Sequence, residues 1–155
     1  MENKLPSKFT IRVYALIIND RQQLLVTDEF QLGMKMTKFP GGGMHFGEGP
    51  IECLKRELLE ECNQELEDIQ HFYTTDFYQK ALFYEDHQLL SIYYTAKLKL
   101  PVQFKISDKS FDFPELINGN QSFRWIPINS VNPDIFTFPI DKHVAHLLKE
   151  NYVIK

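Results

Sequence analysis

Glu57, Glu60 and Glu61 fall at i, i+3 and i+4 in a stretch whose apolar residues carry helical spacing. At ~100° per residue their side chains project within an arc of roughly 100°. Carboxylates this close repel one another, and either free solvation or a bound cation must relieve the repulsion. Oxygen ligands at such density suit Mg2+, with Mn2+ as a substitute, since both ions prefer carboxylate and water to nitrogen or sulfur. A divalent ion has a matching use against a diphosphate. It neutralises the phosphate oxygens that repel an incoming hydroxide, and it lowers the pKa of water at neutral pH. A Glu-rich helix taken alone is ordinarily a solvated face, so the chemical reading depends on what surrounds these three.

Five of the seven glycines lie between Gly41 and Gly49, immediately ahead of that helix. Such clustering marks backbone that turns tightly or approaches a ligand closely. Pro50 suits the first turn of a helix, where its missing N–H would be unpaired anyway. The helix is read as Ile51–Cys62, with Ile51, Leu54, Leu58 and Cys62 as its apolar stripe. Acidic residues crowd the same region, from Glu48 through Asp68.

The remaining elements must hold this segment in place. Phe9–Ile18 is apolar on both faces, as expected of a strand covered on both sides. Asn19-Asp20 turns it into a second strand, Gln23–Thr27, and Thr37–Pro40 is a short extended piece. Ile69–Ala81 is aromatic and strand-like. Leu90–Leu100 is a strand with Leu90, Ile92, Tyr94, Ala96, Leu98 and Leu100 on one face. Lys105–Gln121 reads as a long surface loop, Ser122–Ile126 as a last strand, and Ile140–Asn151 as a closing helix with Val144, Leu147 and Leu148 inward. Strands and helices interleaved in this way imply an α/β (α+β) fold, a mixed sheet with helices packed on it. The length of 155 residues and 43% hydrophobic content imply a single domain with a sizeable core. A net charge of -4 without basic runs argues against nucleic acid as a partner. No apolar run reaches the ~18 residues needed to span a bilayer, and no signal peptide is visible, so a cytoplasmic location is expected. Cys53 and Cys62 point to opposite sides of one helix and read as two reduced thiols packed in the core.

Gly42, five residues, Glu48, seven residues, then Arg56-Glu57-Leu58-Leu59-Glu60-Glu61 resembles the Nudix box. Pro40-Gly41-Gly42 enters it as in that family, and Phe123-Arg124-Trp125-Ile126-Pro127 resembles the family's late strand. The likeness extends over most of Thr10–Leu148. It implies a Nudix-type α/β/α sandwich and hydrolysis of a diphosphate bond in a nucleoside diphosphate linked to a further group. It further implies that Glu57, Glu60 and Glu61, with the carbonyl of Gly41, hold Mg2+. Arg56, acting through Glu48, would complete the catalytic set by orienting those carboxylates. A small nucleotide-like substrate is the partner implied, and a homodimer is compatible with the resemblance.

The chain departs from the box at two positions. Asn63 stands where Gly is usual, at a helix C-cap that Asn tolerates well. Gln64 replaces an aliphatic residue and is expected to loosen packing at the helix end. Thr37 stands where an aromatic often precedes the Pro-Gly-Gly run. Glu115, and after it Glu85 or Asp86, are candidates for an additional carboxylate from outside the box. Arg12 and Lys38 are candidate phosphate contacts and His45 a candidate substrate contact. His143 and His146 read as surface histidines, and Trp125 as core. Two other functions compete with hydrolysis. One is a catalytically silent nucleotide-binding module; the other is prenyl diphosphate isomerisation, disfavoured because both cysteines lie on the box helix.

Overall fold

The computed structural model describes residues 4–152. Seven strands and two α-helices follow in the order β1 (Lys8–Ile17), β2 (Gln23–Gln31), β3 (Met34–Lys38), β4 (Gly41–Gly43), α1 (Pro50–Cys62), β5 (Leu66–Thr74), β6 (His87–Leu98), β7 (Asn120–Pro127) and α2 (Pro139–Tyr152), with two short 3-10 turns between β7 and α2. The strands form two sheets, a mixed four-stranded one in the order β4-β1-β6-β5 and a three-stranded one in the order β3-β2-β7. Within the first sheet β1 and β6 run parallel, while β4 and β5 are antiparallel to their neighbours.

The period of two in β1 divides the core. Val13, Ala15 and Ile17 pack with Cys53, Leu54, Leu58 and Cys62 of α1, whereas Tyr14 and Leu16 pack with Val144, Ala145 and Leu148 of α2. Val13–Ile17 is therefore buried on both faces under a helix, as expected of the run Phe9–Ile18, whereas the first half of that run is not and Phe9 is exposed. Strand β2 repeats the division, with Leu25 on the α1 side and Leu24 and Val26 on the α2 side. The result is an α/β/α arrangement with two cores.

Several boundaries differ from the sequence reading. Strand β2 continues to Gln31 and turns into β3 through Leu32 and Gly33, both at positive φ. That two-residue turn matches the twist of a hairpin. The extension was hidden because Asp28 and Glu29 look like loop residues, yet both are buried. Arg124 satisfies Asp28 from β7, at 2.6 Å from Nε to Oδ2. The aromatic run expected as strand to Ala81 is strand only to Thr74, and the residues beyond it form a loop. In β6 the alternate face is also buried: Tyr93 is 1% and Ser91 2% exposed, while Leu100 lies outside the strand and in solvent. Ile51 is exposed at the start of α1, and Cys53 takes its place in the core as a free thiol.

Helix α1 ends at Asn63 in the left-handed conformation, its N–H bonded to the carbonyls of Leu58 and Leu59. Asn therefore fills the role expected of the box glycine. Gln64 does the opposite of loosening the helix end. It is 1% exposed, its amide donates to the carbonyl of Lys99 at 2.8 Å, and its carbonyl accepts from the N–H of Gln103 at 2.8 Å. An aliphatic side chain would leave both backbone groups unpaired, which explains the polar residue.

Candidate active site

Strand β4 is the floor on which α1 is seated. Gly41 pairs with Tyr14 and Gly42 with Val13. A Cβ on Gly41 would lie 2.1 Å from the carbonyl oxygen of Val13, and one on Gly42 would lie 2.4 Å from the carboxyl carbon of Glu57. These glycines are required because backbone stands on one side and a carboxylate on the other.

Arg56 organises the entrance of the helix. Its Nε and Nη2 donate to the two oxygens of Glu48 at 2.9 and 2.7 Å, and Nη2 also donates to the carbonyl of Gly43 at 2.9 Å. Its Nη1 reaches Glu57 at 3.0 Å and Glu60 at 3.1 Å. Glu48 accepts in addition from the N–H of His45 at 2.8 Å. Hydrogen bonds from Arg56 and His45 hold the Glu48 carboxyl down at about 2. One guanidinium thus ties the glycine loop to the helix and spaces two of the three carboxylates.

The third carboxylate turns inward. Burial pushes Glu61 up to about 7; Lys38 opposes that shift, and Glu29 and Glu57 add to it. Its Oε2 is buried without a hydrogen-bond partner. Glu57, Glu60 and Glu61 therefore share one flank of α1, but among the described residues no three His, Cys, Asp or Glu side chains close into a metal cage. The donor chemistry nevertheless fits a hard divalent ion. The flank holds only oxygen donors, one of them buried and unpaired, beside glycines that leave it accessible.

Next to that flank is a cavity of about 470 Å3. Arg12, Tyr14, Glu29 and Lys38 line its inner end, and Leu82, Phe83, Leu89 and Phe138 supply apolar wall. Arg12 donates from Nε to the Tyr14 hydroxyl at 2.6 Å, and Lys38 pairs with Glu29 at 3.3 Å. Interaction with the Tyr14 hydroxyl raises the Arg12 pKa most, burial opposes it, and Glu57 and Asp141 add smaller contributions. Burial works to lower the Lys38 pKa, and Tyr14, Glu29 and Glu61 outweigh it. The two cations stand between the cavity and the acidic flank.

The other candidates lie elsewhere. His45 is exposed and contributes its backbone N–H to Glu48. Glu115 is exposed, and its carbonyl accepts from Asn120. Its loop neighbour Asp112 instead lines a smaller cavity of about 200 Å3 with Glu61 and Gln121. Glu85 is exposed, and Asp86 holds Ser7 at the start of the chain. His146 pairs with Glu150, and His143 packs against Tyr73 and Phe77. Sequence reasoning missed Tyr14, Glu29, Tyr93 and Asp141, which come from four different elements. Nothing in the local sequence singles them out: Asp141 is followed directly by Lys142 and His143 and reads as part of a polar helix start.

The family model described as NUDIX domain matches residues 8–147. The chain is a Nudix hydrolase. Solved Nudix structures share its fold at low identity. A MutT structure from work on Aliivibrio salmonicida and Vibrio cholerae is 21% identical with a TM-score of 0.63, covering 94% of this chain and 100% of that one. A NUDIX hydrolase from Nitrosomonas europaea is 18% identical at a TM-score of 0.65, covering 95% and 90%. A MutT protein from Bacillus halodurans is 16% identical at 0.63, covering 90% and 82%. No curated protein matches the chain in sequence. Nudix hydrolases generally use divalent metal ions. No helix among the described residues is long and apolar enough to cross a membrane.

Proposed function

We propose that this Nudix hydrolase cleaves the diphosphate bond of a nucleoside diphosphate linked to a further group, with Mg2+ as its metal and Mn2+ as a substitute. The observation that carries the reading is the placement of Arg12 and Lys38. A diphosphate lying across them has its organic part in the cavity of about 470 Å3 and its phosphorus atoms beside the carboxylates of α1. Glu57, Glu60, Glu61 and the carbonyl of Gly41 would hold the ion, which supplies positive charge against the phosphate oxygens and makes water more acidic. Arg56 bridges Glu57 and Glu60 through Nη1, and Glu48 fixes Arg56 against the glycine loop. Arg12 and Lys38 bind and orient the phosphates. The apolar wall keeps bulk water away from the organic part.

The test is product analysis with Mg2+ over nucleoside triphosphates, nucleotide sugars, ADP-ribose and dinucleoside polyphosphates. Glu60→Gln and Glu61→Gln are expected to abolish release, and chelation to suppress it reversibly. A protein that binds these compounds and never turns them over would instead be a silent nucleotide-binding module.

A further inference from the structure

The two cations at the inner end of the main cavity are not equivalent. Lys38 is already paired, with Glu29 at 3.3 Å. Arg12 pairs with no carboxylate. Its side-chain hydrogen bond among the described residues runs from Nε to the Tyr14 hydroxyl at 2.6 Å. Acids are close enough to be felt, since Glu57 and Asp141 both raise its pKa, and Asp141 keeps a buried oxygen without a partner. Arg12 nevertheless takes a neutral acceptor. A phenol holds the guanidinium in place without cancelling its charge, which leaves that charge for an anion. The bond also occupies Nε alone, so Nη1 and Nη2 stay open for a two-point grip. That open edge faces the glycine floor: a Cβ on Gly43 would stand 3.7 Å from Nη1, beside the carbonyl that Arg56 engages from α1.

Tyr14 itself holds something in reserve. A guanidinium can only donate, so the phenolic oxygen accepts from Arg12 and its own proton remains unspent. Among the described residues nothing accepts that proton. The neighbouring Tyr93 differs, because its hydroxyl donates to Asp141. Packing accounts for the Tyr14 ring, which is 6% exposed, lies 5.3 Å from the Tyr93 ring between centroids and fills the space that a side chain on Gly41 would need. Phe would pack equally well. Support of Arg12 accounts for the hydroxyl oxygen. Neither accounts for a free donor on the wall of a cavity. The ring also lies between the two cations, its centroid 5.5 Å from Cζ of Arg12 and 5.9 Å from Nζ of Lys38, where an anion bound by both must pass.

We propose that Tyr14 contacts the substrate directly, its hydroxyl donating to a nonbridging oxygen of the diphosphate alongside Nη1 and Nη2 of Arg12. The inference rests on the reading of the substrate as a diphosphate and adds a neutral donor to its phosphate site. Hydrogen bonds from a hydroxyl to an ionised oxygen are short and strong. A third cation in this place would compete with the metal ion for the acidic flank, whereas a phenol binds phosphate without doing so.

The experiment measures calorimetric binding of methylene diphosphonate, a diphosphate that cannot be cleaved, in the presence of Mg2+. Tyr14→Phe should weaken binding about 10–100-fold, the range for a hydrogen bond to a charged group, with little change in melting temperature. The loss should persist without Arg12: Tyr14→Phe combined with Arg12→Leu should bind roughly 5-fold or more below Arg12→Leu alone. For any nucleotide that is cleaved, kcat/KM should fall in parallel and extends the comparison to variants too weak for calorimetry. Where Tyr14→Phe does not fold, Tyr14→Met, also without a hydroxyl, takes its place. Native affinity in the variant would overturn the inference, as would failure of the native protein to bind the diphosphonate. A loss that disappears once Arg12 is removed would overturn it too, because Tyr14 would then act only as a support for Arg12. None of these results touches the proposed hydrolysis. Tyr14-dependent binding without turnover of any nucleotide would instead overturn the proposed function and leave the phosphate contact standing.

Discussion

Replacing Gly42 by Ala perturbs the acidic flank without touching an acidic residue. The added methyl would sit 2.4 Å from the carboxyl carbon of Glu57 and 2.5 Å from each of its oxygens. Ordinary contact requires about 1 Å more, so the carboxylate has to retreat by roughly that distance. It can do so, because the clash is with the end of a flexible side chain that only Arg56 restrains, at 3.0 Å. The fold should therefore lose no more than about 1–2 kcal/mol. A displacement of about 1 Å at a reacting centre costs on the order of 100-fold in rate. Gly41→Ala is the contrasting control. Its methyl would meet the carbonyl oxygen of Val13 at 2.1 Å and the Cα of Tyr14 at 2.8 Å, and its φ of +146° is unfavourable for any side chain. Rigid backbone cannot retreat, so this variant should lose roughly 4 kcal/mol or more and fail to fold well. Steady-state hydrolysis with Mg2+, calorimetric Mg2+ titration and thermal melting read the two variants together. Gly42→Ala with native kcat and native Mg2+ dependence would refute the reasoning, because the position of the Glu57 carboxylate would then be irrelevant to turnover.

Four further variants have expected outcomes. Arg56→Lys replaces a two-point grip on Glu48 by a point charge and should lower kcat/KM roughly 10–100-fold. Because Glu48 is held down at about 2, its pairing stabilises the fold above the ordinary carboxylate range and is lost as pH falls toward 2; acid unfolding of Arg56→Lys should begin at higher pH. Glu61→Gln removes a buried charge with an unpaired oxygen, so in metal-free protein it should raise the melting temperature by about 2–6 °C while abolishing hydrolysis. Gln64→Leu strands the N–H of Gln103 and the carbonyl of Lys99, and denaturant unfolding should show a loss of about 1–3 kcal/mol for each. Asp141, pushed up to about 6 when folded, destabilises the protein as pH rises from its ordinary range through 6. Asp141→Asn should therefore be more stable than the native protein by about 3 kcal/mol at most near pH 8, the gain vanishing below pH ~4 in denaturant titrations.

The box segment was readable in the linear chain because its chemistry is local. Glu57, Glu60 and Glu61 share a flank through helical periodicity, Pro50 and Asn63 mark the helix ends, and Arg56 reaches Glu48 across eight residues. Strand β1 was readable for the same reason, since alternation needs only neighbours to show that both faces are covered. The buried acids of β2 were not. Asp28 is tolerable inside because Arg124, 96 residues away, pairs with it and the Thr37 hydroxyl and Phe111 N–H donate to it, and nothing near Asp28 in sequence announces those partners. Gln64 was misjudged in the same way, as its two partners arrive from the segment after β6.

Residue order alone therefore determined the family, the acidic flank of α1 and the covered sheet, all of which follow from spacing within one helix or strand. Only the tertiary structure decided that Glu61 turns inward while Arg56 spaces Glu57 and Glu60, and that Arg12, Lys38, Tyr93 and Asp141 meet at one cavity. Those four come from β1, β3, β6 and α2, so their juxtaposition is set by the parallel pairing of β1 with β6 and by the docking of α2 across them. Long-range packing leaves no periodic trace in sequence, and a buried charge reads as a surface one until its surroundings are assembled.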